Sequence, residues 1–136
     1  MPVIELDMLI ALVNKADKLH ETSKKLFQKI SSGKITNVKV TSSAYLEYEL
    51  VLKSRGYSLT DIYSDLQAFR YIKNLGEAPL TVNIIVRAIE LRRKYNISYF
   101  DSLHAATAIE YDKIIISTDH IYKEIKELKY IPPEKI

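Results

Sequence analysis

Five carboxylates lie where metal-dependent chemistry could use them: Glu5, Asp7, Glu47, Asp101 and Asp119. Glu5 and Asp7 follow the β-branched pair Val3-Ile4, and Asp119 lies just beyond Ile114-Ile115-Ile116. Glu47 and Asp101 fall within or at the start of helical patterns. In an open parallel sheet, strand ends and helix starts gather on one edge, where ligands bind. Acids brought together there raise one another's pKa, a penalty that a divalent cation removes. Hard oxygen donors without cysteine favour magnesium or manganese over zinc, with several waters retained on the ion. A water activated in this way can attack a phosphodiester in line, so phosphodiester hydrolysis is the reaction class implied.

Each acid also has a plain structural reading. Asp7 is placed to cap the first helix, Asp119 the last, and Asp101 the alanine-rich one. Glu47 could be an exposed helix acid, and Glu49 points to another face of the same helix. His104 lies three residues after Asp101 and can share its face, which suits a supporting or packing role behind the acids better than direct ligation. His120 reads as exposed or locally hydrogen-bonded, and His20 as surface.

Composition narrows the alternatives. The chain has 136 residues, one domain's worth, spanning 1–136. It has no cysteine, which removes disulfides, thiolate metal sites and cysteine nucleophiles. No targeting pattern or long apolar run appears, so no membrane association and a cytoplasmic location are expected. The formal charge is +3, with basic residues clustered at Lys24-Lys25, at Lys53 and Arg55, and at Arg92-Arg93-Lys94. Such clusters suit either solvated helix faces or a polyanionic partner. Neither a dinucleotide fingerprint nor a phosphate loop is present, and no serine has an apparent His/Asp pair beside it.

The elements that would position these residues alternate along the chain. Val3-Ile4 predicts a short buried strand, followed by a helix through Val13 with Asp7 as its cap. A second amphipathic helix runs from Asp17 to Ser32 and stops at Gly33. Val38-Lys39-Val40-Thr41 predicts a strand, and Ser42 or Ser43 then caps a helix to about Arg55 that carries Glu47 in its second turn. Ser58 caps a further helix to about Asn74. Pro79-Leu80-Thr81-Val82 predicts an edge strand, with a helix to about Tyr95 and then the small-residue helix from Phe100 to Ile109. Lys113 to Ser117 is the clearest buried strand. Ile121, Ile125 and Leu128 predict a last helix, and Pro132-Pro133 an extended tail. Alternation of this kind predicts an α/β fold, a three-layer α/β/α sandwich with a mostly parallel central sheet.

The blocks Val3-Ile4-Glu5-Leu6-Asp7, Glu47 in its helix, Tyr99-Phe100-Asp101-Ser102-Leu103-His104-Ala105-Ala106 and Ile114-Ile115-Ile116-Ser117-Thr118-Asp119 together resemble the PIN-domain family. Many of its members look like the VapC toxins of prokaryotic toxin–antitoxin pairs. The resemblance implies a ribonuclease whose acids bind Mg2+ or Mn2+, an RNA substrate, a small antitoxin partner, and a homodimer formed through helices near residues 42–72. By position, Asp101 and Asp119 match the family's two later acids and Glu47 the helix acid between them. Ser117 matches the hydroxyl residue that precedes the last acid by two places. The opening block departs from the family pattern: Glu5 stands at the usual aspartate, Leu6 at the usual hydroxyl residue, and Asp7 at the usual Asn or Ser. Either Glu5 or Asp7, or both, would then serve as the first ligand.

Catalytic and metal-binding roles are thus expected for Glu5, Asp7, Glu47, Asp101 and Asp119, with Ser117 and His104 supporting them from behind. Lys53, Arg55, Arg92 and Arg93 are expected to meet RNA phosphates. The alternative is a non-catalytic RNA- or protein-binding module whose acidic site is a remnant. A phosphate-transfer or receiver domain fits less well, because Lys113 precedes its strand.

Overall fold

Two β-branched residues suffice to start the sheet. In a computed structural model describing residues 2–136, Val3–Ile4 forms β1, fully buried on both faces. Leu6–Val13 is α1 and His20–Ser31 is α2. Lys39–Thr41 is β2, followed by α3 at Ser42–Ser54 and α4 at Leu59–Arg70. Gly76–Ala78 is β3, Val82–Lys94 is α5, Tyr99–Glu110 is α6 and Ile114–Ile116 is β4. A 3-10 turn, His120–Glu124, leads to β5 at Lys129–Ile131.

The strands form one sheet in the order β3-β2-β1-β4-β5, and every neighbouring pair is parallel. Successive residues of a strand point to opposite faces, so β1 and β4 each feed two cores. Ile4 and Ile116 join Val40 under α1, α2, α3 and α4, where Met8, Phe27, Tyr48 and Phe69 pack. Val3 and Ile115 face the other way, against Ala88 and Leu91 of α5 and Ala105 and Ala108 of α6. Helices on both faces of a parallel sheet make the three-layer α/β/α sandwich that the sequence predicts. The alanines of α6 have the physical reason expected of them: small side chains let the helix lie close to the sheet.

Several boundaries differ from the sequence expectation. The edge strand comes before Pro79 at Gly76–Ala78, and Thr81 instead caps α5 by accepting from the Ile84 amide at 3.3 Å. Thr41, still in β2, caps α3 in place of Ser42 or Ser43, accepting from the Ala44 amide at 3.2 Å. Ser58 caps α4 as expected, at 3.1 Å from the Asp61 amide, but the helix ends at Arg70 instead of near Asn74. The expected last helix is only the short 3-10 turn, and Lys129–Ile131 pairs with β4 as an edge strand. After the proline pair the tail closes as a second 3-10 turn, Pro133–Lys135, instead of staying extended. His20, expected at the surface, sends Nδ1 to the Ala11 carbonyl at 2.8 Å and ties α2 to α1.

Ile115 is fully buried at the centre of the second core. Truncation to alanine removes its buried methylenes and leaves a cavity, a change that costs about 3 kcal/mol. Ile115→Ala is therefore expected to lower the urea midpoint with an unchanged denaturant slope, whereas an unchanged midpoint would contradict the packing described.

Candidate active site

Glu5 leaves β1 with extended backbone and caps α1, a role the sequence reading gave to Asp7. Its Oε1 accepts from the Asp7 amide at 3.0 Å, since the longer side chain can fold back over the first turn. The same oxygen accepts from Ser117 Oγ at 3.3 Å, and Oε2 accepts from the Tyr122 hydroxyl at 3.2 Å. Glu5 is therefore buried and bonded through both oxygens.

Asp7 sits in the first turn of α1 and turns toward the loop after β4. Its Oδ2 accepts from the Thr118 amide and from Thr118 Oγ1, both at 2.6 Å, and from Ser117 Oγ at 3.3 Å. Its Oδ1 is buried and has no hydrogen-bond partner. Ser117 lies between the two acids of the first segment, and its oxygen also accepts from the Asp119 amide at 2.9 Å.

Glu47 projects from α3 to a buried histidine on α6. His104 Nε2 lies 2.8 Å from Glu47 Oε1, and because a carboxylate can only accept, Nε2 is the donor. On the other side of the ring Nδ1 lies 2.8 Å from Ser43 Oγ and 3.3 Å from Thr41 Oγ1. His104 is completely buried, so it orients Glu47 from behind and does not itself face the cleft.

Asp101 lies in the first turn of α6, whose cap is Ser98 and not Asp101. Its Oδ1 accepts from the Tyr122 hydroxyl at 3.3 Å. Asp119 is exposed and caps the 3-10 turn, accepting from the Ile121 amide at 3.0 Å.

These segments close one open cleft of about 430 Å³ at the carboxyl ends of the strands, lined by Glu5, Leu6, Asp7, Ile10, Glu47, Asp101, Thr118 and Asp119. All five acids singled out in the sequence line it. Among the described residues, no three acidic or histidine side chains converge closely enough to hold a metal by themselves. Magnesium, however, dehydrates reluctantly and usually binds through one or two carboxylates with waters completing its shell. Hard oxygen donors, with the unpartnered buried Asp7 Oδ1 among them, fit such a hydrated ion. They do not fit a dehydrated site built from three or more ligands.

The basic residues divide. Lys53, Arg55 and Arg93 are exposed. Arg92 is already engaged: Nη1 donates to Ser102 Oγ at 2.6 Å, and the guanidinium lies 5.0 Å from the Tyr99 ring centroid. Two residues at the site escaped the sequence reading. Thr118 was passed over between Ser117 and Asp119, although a hydroxyl at a strand end is a ready donor to an acid. Tyr122 reads as an ordinary apolar position beside Ile121 and Ile125; the available signal was a phenol three residues beyond a strand-end acid.

A family model described as PIN domain matches residues 7–128. No curated protein matches the chain in sequence. Among solved structures, Rickettsia felis VapBC2 bound to a DNA fragment from its promoter is similar over 96% of both chains, with a TM-score of 0.74 and 16% identity. Mycobacterium tuberculosis VapC20, a sarcin–ricin loop cleaving toxin, matches 93% of this chain and 95% of its own, with a TM-score of 0.73 and 17% identity. FitAcB from Neisseria gonorrhoeae is similar over 100% of both chains, with a TM-score of 0.69 and 11% identity. At such identities the likeness establishes the fold.

The electrostatics of the site centre on Glu5. Burial first, then the adjacent Asp7 and the facing Asp101, push its carboxyl well above the ordinary 4.5. The folded protein thus holds this proton more tightly than the unfolded chain does. Stability from that difference is complete below pH 4.5 and is lost as pH rises through the folded value. In EDTA, the melting temperature of wild type is expected to fall with rising pH relative to Glu5→Gln. A wild type that instead gains on the variant would show Glu5 buried as a charge.

Proposed function

The chain belongs to the PIN-domain family, and from that membership we propose a metal-dependent endoribonuclease that hydrolyses RNA phosphodiester bonds as the toxin of a toxin–antitoxin pair. The observation that carries this reading is an open cleft lined by five acids from four chain segments, with a buried carboxylate oxygen of Asp7 left without a donor. Lined by carboxylates, the cleft repels a bare phosphate, so an anionic substrate would need a cation there. When bound, Mg2+ or Mn2+ would supply that neutralisation and an activated water.

The residues divide the work. Asp7 and Asp101 are the first candidates to hold the ion: Asp7 has a free oxygen, and Asp101 opens α6 at the cleft. Glu5 contributes mainly by fixing the start of α1, with its remaining lone pairs available toward the cleft. His104 aims Glu47, and Ser117 holds Glu5, Asp7 and the Asp119 amide in one place. Lys53, Arg55 and Arg93, all exposed, are the candidates to bind RNA phosphates without reading sequence. Arg92 would first have to leave Ser102.

The toxin reading adds partners and a location. Leu46 and Leu50 on α3 and Leu59 and Tyr63 on α4 are all at least 49% exposed, spaced so that each pair shares one helix face. An apolar surface of this kind suits a second copy of the chain, an antitoxin, or both, and RNA as substrate places the activity in the cytoplasm. No helix among the described residues is long and apolar enough to cross a membrane.

A non-catalytic module is the competing reading, favoured because no three acids among the described residues converge closely enough to hold a metal by themselves. One assay separates the two. Wild type is expected to cleave an RNA panel only with Mg2+ or Mn2+. Asp101→Asn should lose on the order of 100-fold or more, because groups that merely orient metal ligands are worth roughly ten- to a hundredfold. Equal cleavage by both proteins would remove Asp101 from the site, and no cleavage by wild type under any metal would favour the binding module. Co-expression with the adjacent open reading frame is expected to yield a complex in which cleavage is suppressed; unchanged activity and no complex would count against a toxin.

A further inference from the structure

Tyr122 is fully buried, yet its hydroxyl reaches 3.2 Å from Glu5 Oε2 and 3.3 Å from Asp101 Oδ1. Both carboxylates line the cleft and Tyr122 does not, so the hydroxyl stands behind the pair and leaves the open side clear. The ring is fixed from two directions. Asp119 caps the short turn that carries it, and the ring packs into the core under α5 and α6.

We propose that Tyr122 is a positioning residue whose hydroxyl holds Glu5 and Asp101 at the spacing in which the cleft takes up a divalent cation. The choice of cation as ligand rests on the nuclease reading; the clamp itself is a property of the metal-free chain. A phenol has one proton, and here the two carboxylates must share it. Without it neither acid has a donor on its buried side, and nothing fixes the distance between them. Phenylalanine would fill the same core and offer neither acid a donor.

Ser117 makes the corresponding link on the other side, lying 3.3 Å from both Glu5 Oε1 and Asp7 Oδ2. Two hydroxyls thus string three acids in the order Asp7, Ser117, Glu5, Tyr122, Asp101. A cation entering from the cleft finds ligands already held, and the ordering that would otherwise weaken its binding has been done on folding.

The test is Tyr122→Phe, which keeps every ring contact. Metal-free wild type and variant are titrated with Mn2+ by calorimetry, and both are unfolded thermally in EDTA. The variant is expected to stay folded and to bind Mn2+ about tenfold more weakly, the scale of one hydrogen bond to a charged group. Combined with Asp101→Asn in the metal-free protein, the two changes should be non-additive in melting temperature. Equal or tighter Mn2+ binding by Tyr122→Phe would overturn the role toward the cation, because a purely structural tyrosine would shift only the melting curve. Additive melting shifts would overturn the clamp. A wild type that binds no Mn2+ would remove the cation from the proposal and the nuclease reading with it, while the melting cycle would still decide whether the clamp exists.

Discussion

Everything at the acidic cleft depends on β1 and β4 ending level. Their parallel register pairs Ile4 with Ile116, so the next residues, Glu5 and Ser117, emerge side by side at the carboxyl edge. The strand order β3-β2-β1-β4-β5 makes this a switch point: from β1 the chain first builds outward through β2 and β3, then returns to β1's other side for β4 and β5. The connections after β1 and β4 therefore diverge to opposite faces of the sheet and leave a crevice between them, where ligands of open α/β sheets bind. A one-residue slip of this pair would separate Asp7 Oδ2 from the Thr118 amide and hydroxyl and reverse the cores that Ile115 and Ile116 serve.

The other two acids reach the crevice because helices, not strands, carry them there. Thr41 ends β2 and caps α3, which sets Glu47 in the second turn over the cleft. Ser98 caps α6 and leaves Asp101 in its first turn. Between those helices the buried His104 bonds to Glu47 on one side and Ser43 on the other, so α3 and α6 are joined across the sheet edge by a satisfied polar chain. Such a chain is costly when incomplete, which makes it a specific lock on the relative position of the two helices.

What could be read from the sequence follows from how local its cause is. Ile114-Ile115-Ile116, Val3-Ile4 and the alanines of α6 announce burial by composition alone, and the acids beside them announce an edge. The cap of α1 could not be read the same way: Asp7 has the commoner capping side chain, and only the folded turn shows that Glu5 can reach back over it. Pro79 drew the third strand a few residues too late, since tolerance of proline at a strand start says nothing about a strand that has just ended. Arg92 looked free because Ser102 and Tyr99, its partners, sit on a different helix. Tyr122 was invisible for the same reason: its hydroxyl has meaning only once Glu5 and Asp101, 117 and 21 residues away, stand on either side of it.

Five acids in one cleft pose a repulsion problem, and the chain meets it with a different physical device for nearly every one. Glu5 is buried and driven toward its neutral form. Asp7 receives two short bonds from Thr118, Glu47 takes the proton-bearing nitrogen of His104, and Asp101 shares the Tyr122 hydroxyl. Asp119 stays in solvent and faces the amide end of a turn. No lysine or arginine lines the cleft, and none of the four cations considered for RNA contact reaches it. Hydrogen-bond donors soften the repulsion with no lysine or arginine to cancel it, so the cleft keeps uncompensated carboxylate charge and an unsatisfied oxygen on Asp7. That residue of uncompensated charge is what a binding site for a hydrated cation requires, and a surface whose acids were fully paired with lysine or arginine would have lost it.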